Sequence, residues 1–369
     1  MQKVNILLLT DEMLPGGVSR HVVDVANGLK KKNIDVTVAA TDGIFRKRLN
    51  DDIPFYELSL LQKNSFKKNP IGFFSSYYRL SHLLTKQKFS IIHTHKRYSD
   101  LLGRTLAKKF HVKHISSCHN TFHNLRFLPS FGKEYTISCT NVVRNIIIQD
   151  YGKLENRVKT VYYGIAPFSS YSIDEKYSIR KQYGFSPETP IFTCIARMEK
   201  SKDHATLLQA ISLVRNNFTQ EFFVILVGDG NEKEEMIALS KKLNIEKCVS
   251  FLEGTTNVEK ILNISDFCCI SSIRDGGILY VVLEAASLGK PHIATSVGGI
   301  PEFITHNETG LLVEPKNPQQ LAEQIMYLLQ NPKEVQRLGE NAKRKYEQHF
   351  THERMMNEII SVYQKTLDL

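Results

Sequence analysis

No run in this 369-residue chain approaches the ~18 consecutive apolar residues that a membrane-crossing helix needs. The opening stretch Val4–Leu9 is short, and Asp11 and Glu12 follow where a cleaved leader would place small residues. It reads as a buried strand. The cysteines, at 118, 139, 194, 248, 268 and 269, show no CxxC spacing, so neither zinc nor a disulfide framework is indicated. They sit in apolar, strand-like runs, as free thiols of a reducing, cytosolic compartment do. There is no GxGxxG, which counts against a nicotinamide oxidoreductase. No aspartate is followed two positions later by another, so the Asp-x-Asp pattern that holds a metal-bound diphosphate is missing. Low-complexity segments are absent too.

What is there is globular, with 42% hydrophobic and 23% charged residues. The length suits two domains better than one core. Charge divides the chain as well. Residues 1–165 carry 26 Lys+Arg against 12 Asp+Glu, a net +14, whereas the remainder carries 22 against 26, a net −4. Two halves of opposite sign suggest two domains with different partners.

Strand-like apolar runs alternate with helix-period segments. The first half offers Val4–Leu9, Val36–Ala40, Ile91–His93, His114–Cys118, Thr136–Cys139 and Val158–Tyr162. The second offers Ile191–Ile195, Phe222–Val227, Val249–Leu252, Asp266–Ile270, His292–Thr295 and Gly310–Val313. Such alternation predicts βαβ units and two doubly wound parallel sheets. The turn-rich stretch after Tyr163 marks a hinge. The expected domains are 1–165 and 166–344, with the C-terminal helix, about 345–369, packing back onto the first.

Ligands of doubly wound sheets bind beyond the carboxyl ends of the strands. The first strand runs into Gly16-Gly17 and then a helix, with Ser19 as the expected N-cap. Two glycines there allow backbone to approach an anion, although on their own they are better explained by a plain tight strand-to-helix turn. Strand Ile191–Ile195 is followed by Arg197 and Lys202, a fork and a point charge suited to a diphosphate whose charge grows as it leaves. A solvated loop is the bland alternative. Further on, Gly276-Gly277-Ile278-Leu279 opens an apolar helix carrying Glu284, which must be paired or face a cleft.

The ordered set resembles the retaining GT-B glycosyltransferases of family four. It comprises Gly16-Gly17, Arg197 with Lys202, Val227-Gly228-Asp229-Gly230, Glu284-Ala285 with Gly289-Lys290-Pro291, Gly298-Gly299-Ile300-Pro301-Glu302 and Gly310-Leu311-Leu312-Val313. The resemblance implies two Rossmann-like domains facing each other across a cleft that closes over a nucleotide sugar. Arg197 and Lys202 would grip its diphosphate, and Glu284 would hold the ribose. Gly276, Gly277, Ile278 and Leu279 would present backbone to phosphate or sugar, and Gly16 and Gly17 would approach from the other domain. His119 matches the family's histidine after a first-domain strand and would lie near the transferred sugar. The family's usual Glu, seven residues, Glu is broken: Gly276 stands eight before Glu284, and Asp275 nine before. Either Asp275 takes over the first carboxylate's work or that role is lost.

The expected activity is retaining transfer of a sugar, from a UDP-sugar by preference, to a hydroxyl of a glycan or lipid-linked acceptor in cell-surface polysaccharide synthesis. No cofactor and no metal are expected. His93-x-His95 offers two rings on one strand face, but no third ligand is near in sequence. Lysines and aromatics between Gln62 and Arg79 suit either a solvated basic face or an anionic membrane surface. The expected location is therefore cytoplasmic, peripheral at the inner membrane face. No nucleic-acid motif is present. A catalytically idle nucleotide- or glycan-binding protein on the same fold, and a nicotinamide oxidoreductase, are the rival readings.

Overall fold

A computed structural model describes residues 4–58, 70–120, 134–254 and 257–368. The chain forms two compact units, Met1–Gly164 with His352–Leu369, and Ile165–Thr351.

The first unit holds strands β1 (Asn5–Glu12), β2 (Asp35–Thr41), β3 (Phe55–Glu57), β4 (Ile91–Thr94), β5 (Lys113–Cys118), β6 (Thr136–Ser138) and β7 (Val158–Thr160). Its sheet order is β3-β2-β1-β4-β5-β6-β7, and every pairing is parallel. The helices are α1 (Gly17–Lys31), α2 (Pro70–Lys86), α3 (Arg97–Phe110) and α4 (Asn141–Tyr151). β1 shows why the central strands read as unbroken apolar runs: Ile6 and Leu8 enter the core beneath α1, while Leu7 and Leu9 enter a second core with α2 and α3. The sheet has one strand more than expected. β3 is three residues at an edge, too short and too exposed to leave a periodic signal.

α1 starts at Gly17, and its N-cap, Gly16, makes no side-chain capping bond. Ser19 is not the cap. Its hydroxyl is buried and donates to the Glu12 carbonyl at 3.1 Å, tying the helix back to β1.

The second unit holds β8 (Ile191–Ile195), β9 (Phe223–Val227), β10 (Val249–Leu252), β11 (Phe267–Ile270), β12 (His292–Thr295) and β13 (Gly310–Val313), in the order β10-β9-β8-β11-β12-β13. Around them lie α5 (Ile173–Gln182), α6 (His204–Asn217), α7 (Lys233–Lys242), α8 (Val258–Ile264), α9 (Tyr280–Ser287), α10 (Ile300–Phe303), α11 (Pro318–Gln330) and α12 (Pro332–His349). In both sheets the order reverses beside the first strand, between β1 and β4 and between β8 and β11. A crevice for ligands opens at such points.

α12 belongs to the second unit, and only α13 (His352–Leu367) returns to the first. The return lies at His352, not near 345. The reason is packing. Gly339 of α12 lies so close to the Gly289 carbonyl that a Cβ would collide with it. Met355, Met356 and Ile359 of α13 instead fill the core over β1.

Candidate active site

In the first unit the end of β1 and the start of α3, just past β4, are clamped together. The Asp11 carboxylate accepts the Ser99 N–H at 3.0 Å, and Lys96 pairs with Glu12 at 3.0 Å. Lys96, the N-cap of α3, adopts φ 140°, a strained value for a side-chain-bearing residue. Burial raises the Asp11 carboxyl to about 6, opposed by the charge of Lys96.

Histidines converge behind that clamp. His95 Nδ1 lies 3.2 Å from His119 Nε2, and His119 Nδ1 lies 2.7 Å from the Tyr163 hydroxyl. His21, on α1, sits with its ring 5.0 Å from that of His119 and 5.5 Å from that of His95. All three are buried, and burial pushes each well toward the neutral form, His21 to about 3. One ring nitrogen from each lies within 4.8 Å of the others, a grouping that can hold a metal ion. The metal pair suggested by His93-x-His95 is not formed, because both His93 nitrogens are committed, to Tyr363 at 2.7 Å and Ser117 at 2.8 Å. Sequence reasoning missed His21 because three residues, from α1 and from just past the ends of β4 and β5, meet only through the strand order. His119 also has both nitrogens engaged and is 7% exposed, so contact with a sugar requires one of those bonds to yield.

In the second unit the loops after β8 and β11 join at the point where the strand order reverses. The Ile273 N–H donates to the Ser201 carbonyl at 3.0 Å, and the Ser271 hydroxyl donates to the Lys202 carbonyl at 2.9 Å. Lys202 Nζ pairs with Asp275 Oδ1 at 2.5 Å, with side chains only 14% and 9% exposed. Asp203, at φ 48°, caps α6 by accepting from the Thr206 N–H and hydroxyl, which fixes the chain next to Lys202. Arg197 stands at the rim, 56% exposed, paired with Glu199 at 2.7 Å.

Gly276 and Gly277 lead into α9 through buried Ile278, and Leu279 occupies the N-cap. Glu284 is buried in α9 at 3% exposure. Gly298, at φ +55°, lies against the Asp275 carbonyl, where a Cβ would collide. Its loop therefore fixes where Asp275 sits. Lys202 and Asp275 are thus brought together in the second unit, which also carries Arg197 on the β8 loop and the 276–284 segment directly after Asp275. Gly16, Gly17 and His119 lie in the first unit, where His119 meets His95, His21 and Tyr163.

Residues 175–345 match the family Glycosyl transferases group 1, and residues 15–167 match Glycosyltransferase Family 4. The chain belongs to the group 1 glycosyltransferases. It is 28% identical over 335 residues to N-acetyl-alpha-D-glucosaminyl L-malate synthase of Bacillus anthracis, covering 87% of each protein. Its fold is similar to that of a glycosyltransferase from Rickettsia africae ESF-5, with a TM-score of 0.84, 21% identity and 99% of both chains covered. It is equally similar to Anabaena Alr3699/HepE crystallised with UDP-glucose, with a TM-score of 0.84, 19% identity, and 98% and 99% of the chains covered. The architecture is GT-B and the protein is a transferase, so the nicotinamide oxidoreductase reading falls.

This glycosyltransferase has six buried free cysteines, as expected of thiols in strand-like runs. Among the described residues no helix is long and apolar enough to cross a membrane. Of the basic and aromatic segment from Gln62 to Arg79, residues 62–69 lie outside the described residues. In α2, Phe73 and Tyr77 pack inward, while Ile71, Phe74 and Tyr78 are exposed.

Proposed function

We propose that this glycosyltransferase moves a sugar from a nucleoside diphosphate sugar, UDP-linked by preference, to a hydroxyl of a glycan or lipid-linked acceptor, with retained anomeric configuration and no metal. The observation that carries the reading is the junction of the β8 and β11 loops, where Lys202 of the loop that also bears Arg197 pairs with Asp275, directly before the glycine-opened helix bearing Glu284. HepE, a structural neighbour, is described with UDP-glucose bound.

In the proposed reaction the acceptor hydroxyl attacks the anomeric carbon from the face the leaving group departs. The bond from that carbon to the diphosphate oxygen breaks, and the hydroxyl proton passes to that oxygen. Arg197 and Lys202 neutralise the charge that develops, a role a divalent cation fills elsewhere. Glu284 accepts from the ribose hydroxyls, and Asp275 takes the sugar-side carboxylate's place.

The acceptor side rests on the first unit, whose net +14 lies in residues 1–165. The acceptor or its membrane carries negative charge, and the protein acts at the inner face of the membrane in cell-surface polysaccharide assembly.

Thermal-shift titration with UDP-, GDP- and ADP-sugars tests the donor, since a ligand of the native state raises the melting temperature with its occupancy. Transfer in the presence of EDTA tests metal independence, and the anomeric configuration of the product tests retention. Activity abolished by EDTA and restored by a divalent ion overturns the metal-free reading.

A further inference from the structure

Lys202 does not wait as a free cation. Its ammonium is paired with Asp275, and both side chains are largely buried. The second oxygen, Asp275 Oδ2, is also buried and meets no hydrogen-bond partner among the described residues. A buried carboxylate oxygen in that condition is costly unless a donor reaches it. The arrangement is rigid on three sides: the Asp203 cap holds the segment after Lys202, the Ser271 hydroxyl holds the Lys202 carbonyl, and Gly298 packs on the Asp275 backbone.

A diphosphate gripped by this ammonium sits about 3 Å from Nζ. It is then about 5 Å from the Asp275 carboxylate, close enough for like charges to repel strongly in a pocket poor in water. Phosphate oxygens only accept hydrogen bonds, so a bare nucleoside diphosphate brings the repulsion and leaves Oδ2 unmet. A nucleotide sugar brings the same phosphates, with one negative charge fewer once the terminal phosphate is esterified. It also brings hydroxyl groups that can donate to Oδ2.

We propose that Asp275 makes the site discriminate between the intact nucleotide sugar and the free nucleoside diphosphate left after transfer, holding the first and expelling the second. The proposal rests on the donor reading above. It explains why a carboxylate beside the phosphate-binding lysine is useful: it weakens inhibition by the product while sparing the substrate.

The test is calorimetric titration of the full chain with UDP, GDP and ADP, with their glucose conjugates, and with the uncharged nucleosides. Asp275→Asn removes the charge and keeps the shape. The expected result is that the variant binds the free diphosphate about fivefold or more tighter, binds the sugar conjugate no tighter than the native protein does, and binds the nucleoside unchanged. An unchanged ratio of diphosphate to nucleotide-sugar affinity, or equal shifts in both, overturns the proposal. If Asp275→Asn loses nucleoside binding and so has a damaged pocket, Asp275→Ser is read by the same criterion. Failure of the native chain to bind any of these nucleotides removes the donor site itself, and this inference with it. Binding by the native chain with no change in the variants removes only the inference.

Discussion

Arg197 and Lys202 meet their carboxylates in different surroundings, and the difference sets what each is expected to do. The Arg197–Glu199 pair is at the surface, where such a pair contributes little and exchanges readily for a phosphate. Arg197→Ala should therefore leave the melting temperature nearly unchanged while lowering turnover at least ~tenfold. Unchanged turnover in a single-turnover assay removes Arg197 from the site. Lys202 is buried with Asp275, so Lys202→Met should cost both turnover and stability, on the order of 3 kcal/mol, because it strands a buried carboxylate. A urea melt separates the two variants. At this scale the sequence showed residue types well and partners poorly. Arg197, Lys202 and Glu284 followed strands and glycine turns, as ligand-binding residues do. That Asp275 would sit on Lys202 was not legible, because residues 73 positions apart meet only through the neighbouring places of β8 and β11.

Between residues and the whole lie the loops and helices that aim the side chains. Gly298 shows how one backbone position governs another. Its positive φ and its contact with the Asp275 carbonyl both forbid a side chain. Gly298→Ala should shift the Asp275 loop and weaken nucleotide binding at least ~tenfold, with far less effect on binding to any membrane surface. Nucleotide affinity equal to that of the native chain would show the loop to be slack. α2 offers a test of the acceptor side. Ile71, Phe74 and Tyr78 recur at helical spacing on its outer face, 76%, 60% and 72% exposed, beside a basic domain. Replacing Phe74 and Tyr78 by Ser should reduce sedimentation with phosphatidylglycerol vesicles severalfold and leave nucleotide affinity alone. Co-sedimentation equal to that of the native protein would place these side chains outside any membrane contact. Elements with continuous apolar cores, such as β1 and β8, were legible to within a few residues. β3 and the start of α1 were not: the first is a short edge strand, and the second uses Gly16 where a capping serine was expected.

Across the whole molecule, buried histidines are unequally shared. Burial lowers five in the first unit, His21, His93, His95, His114 and His119, and two in the second, His204 and His292. Between pH 6.5 and about 3, an unfolded chain binds a proton at the position of His21 that the folded chain excludes. Folded stability therefore falls with falling pH, by up to about 1.4 kcal/mol per pH unit for each such group. Asp11 acts in the opposite sense, since its carboxyl, raised to about 6, protonates first in the folded state. It is one group against five. The first unit should open before the second on acidification. Hydrogen exchange followed region by region from pH 7 to pH 4.5 should show β4 and β5 losing protection while β8 and β11 keep theirs; the reverse order would contradict it. The division into two doubly wound units was legible in the strand spacing and the charge imbalance. Where the chain returns was not, because α12 and α13 are both polar, amphipathic helices and only their packing tells them apart.

That return has a consequence during synthesis. The second unit is one continuous stretch, Ile165–Thr351, whereas the first needs α13, which follows it. On a ribosome the N-terminal sheet emerges first, yet the part of its core that Met355, Met356 and Ile359 fill stays uncovered until α13 leaves the exit tunnel. The unit made second can finish folding first. Through that interval the earlier domain presents an apolar face over β1 and α1, which makes it a natural client for chaperones that work on nascent chains.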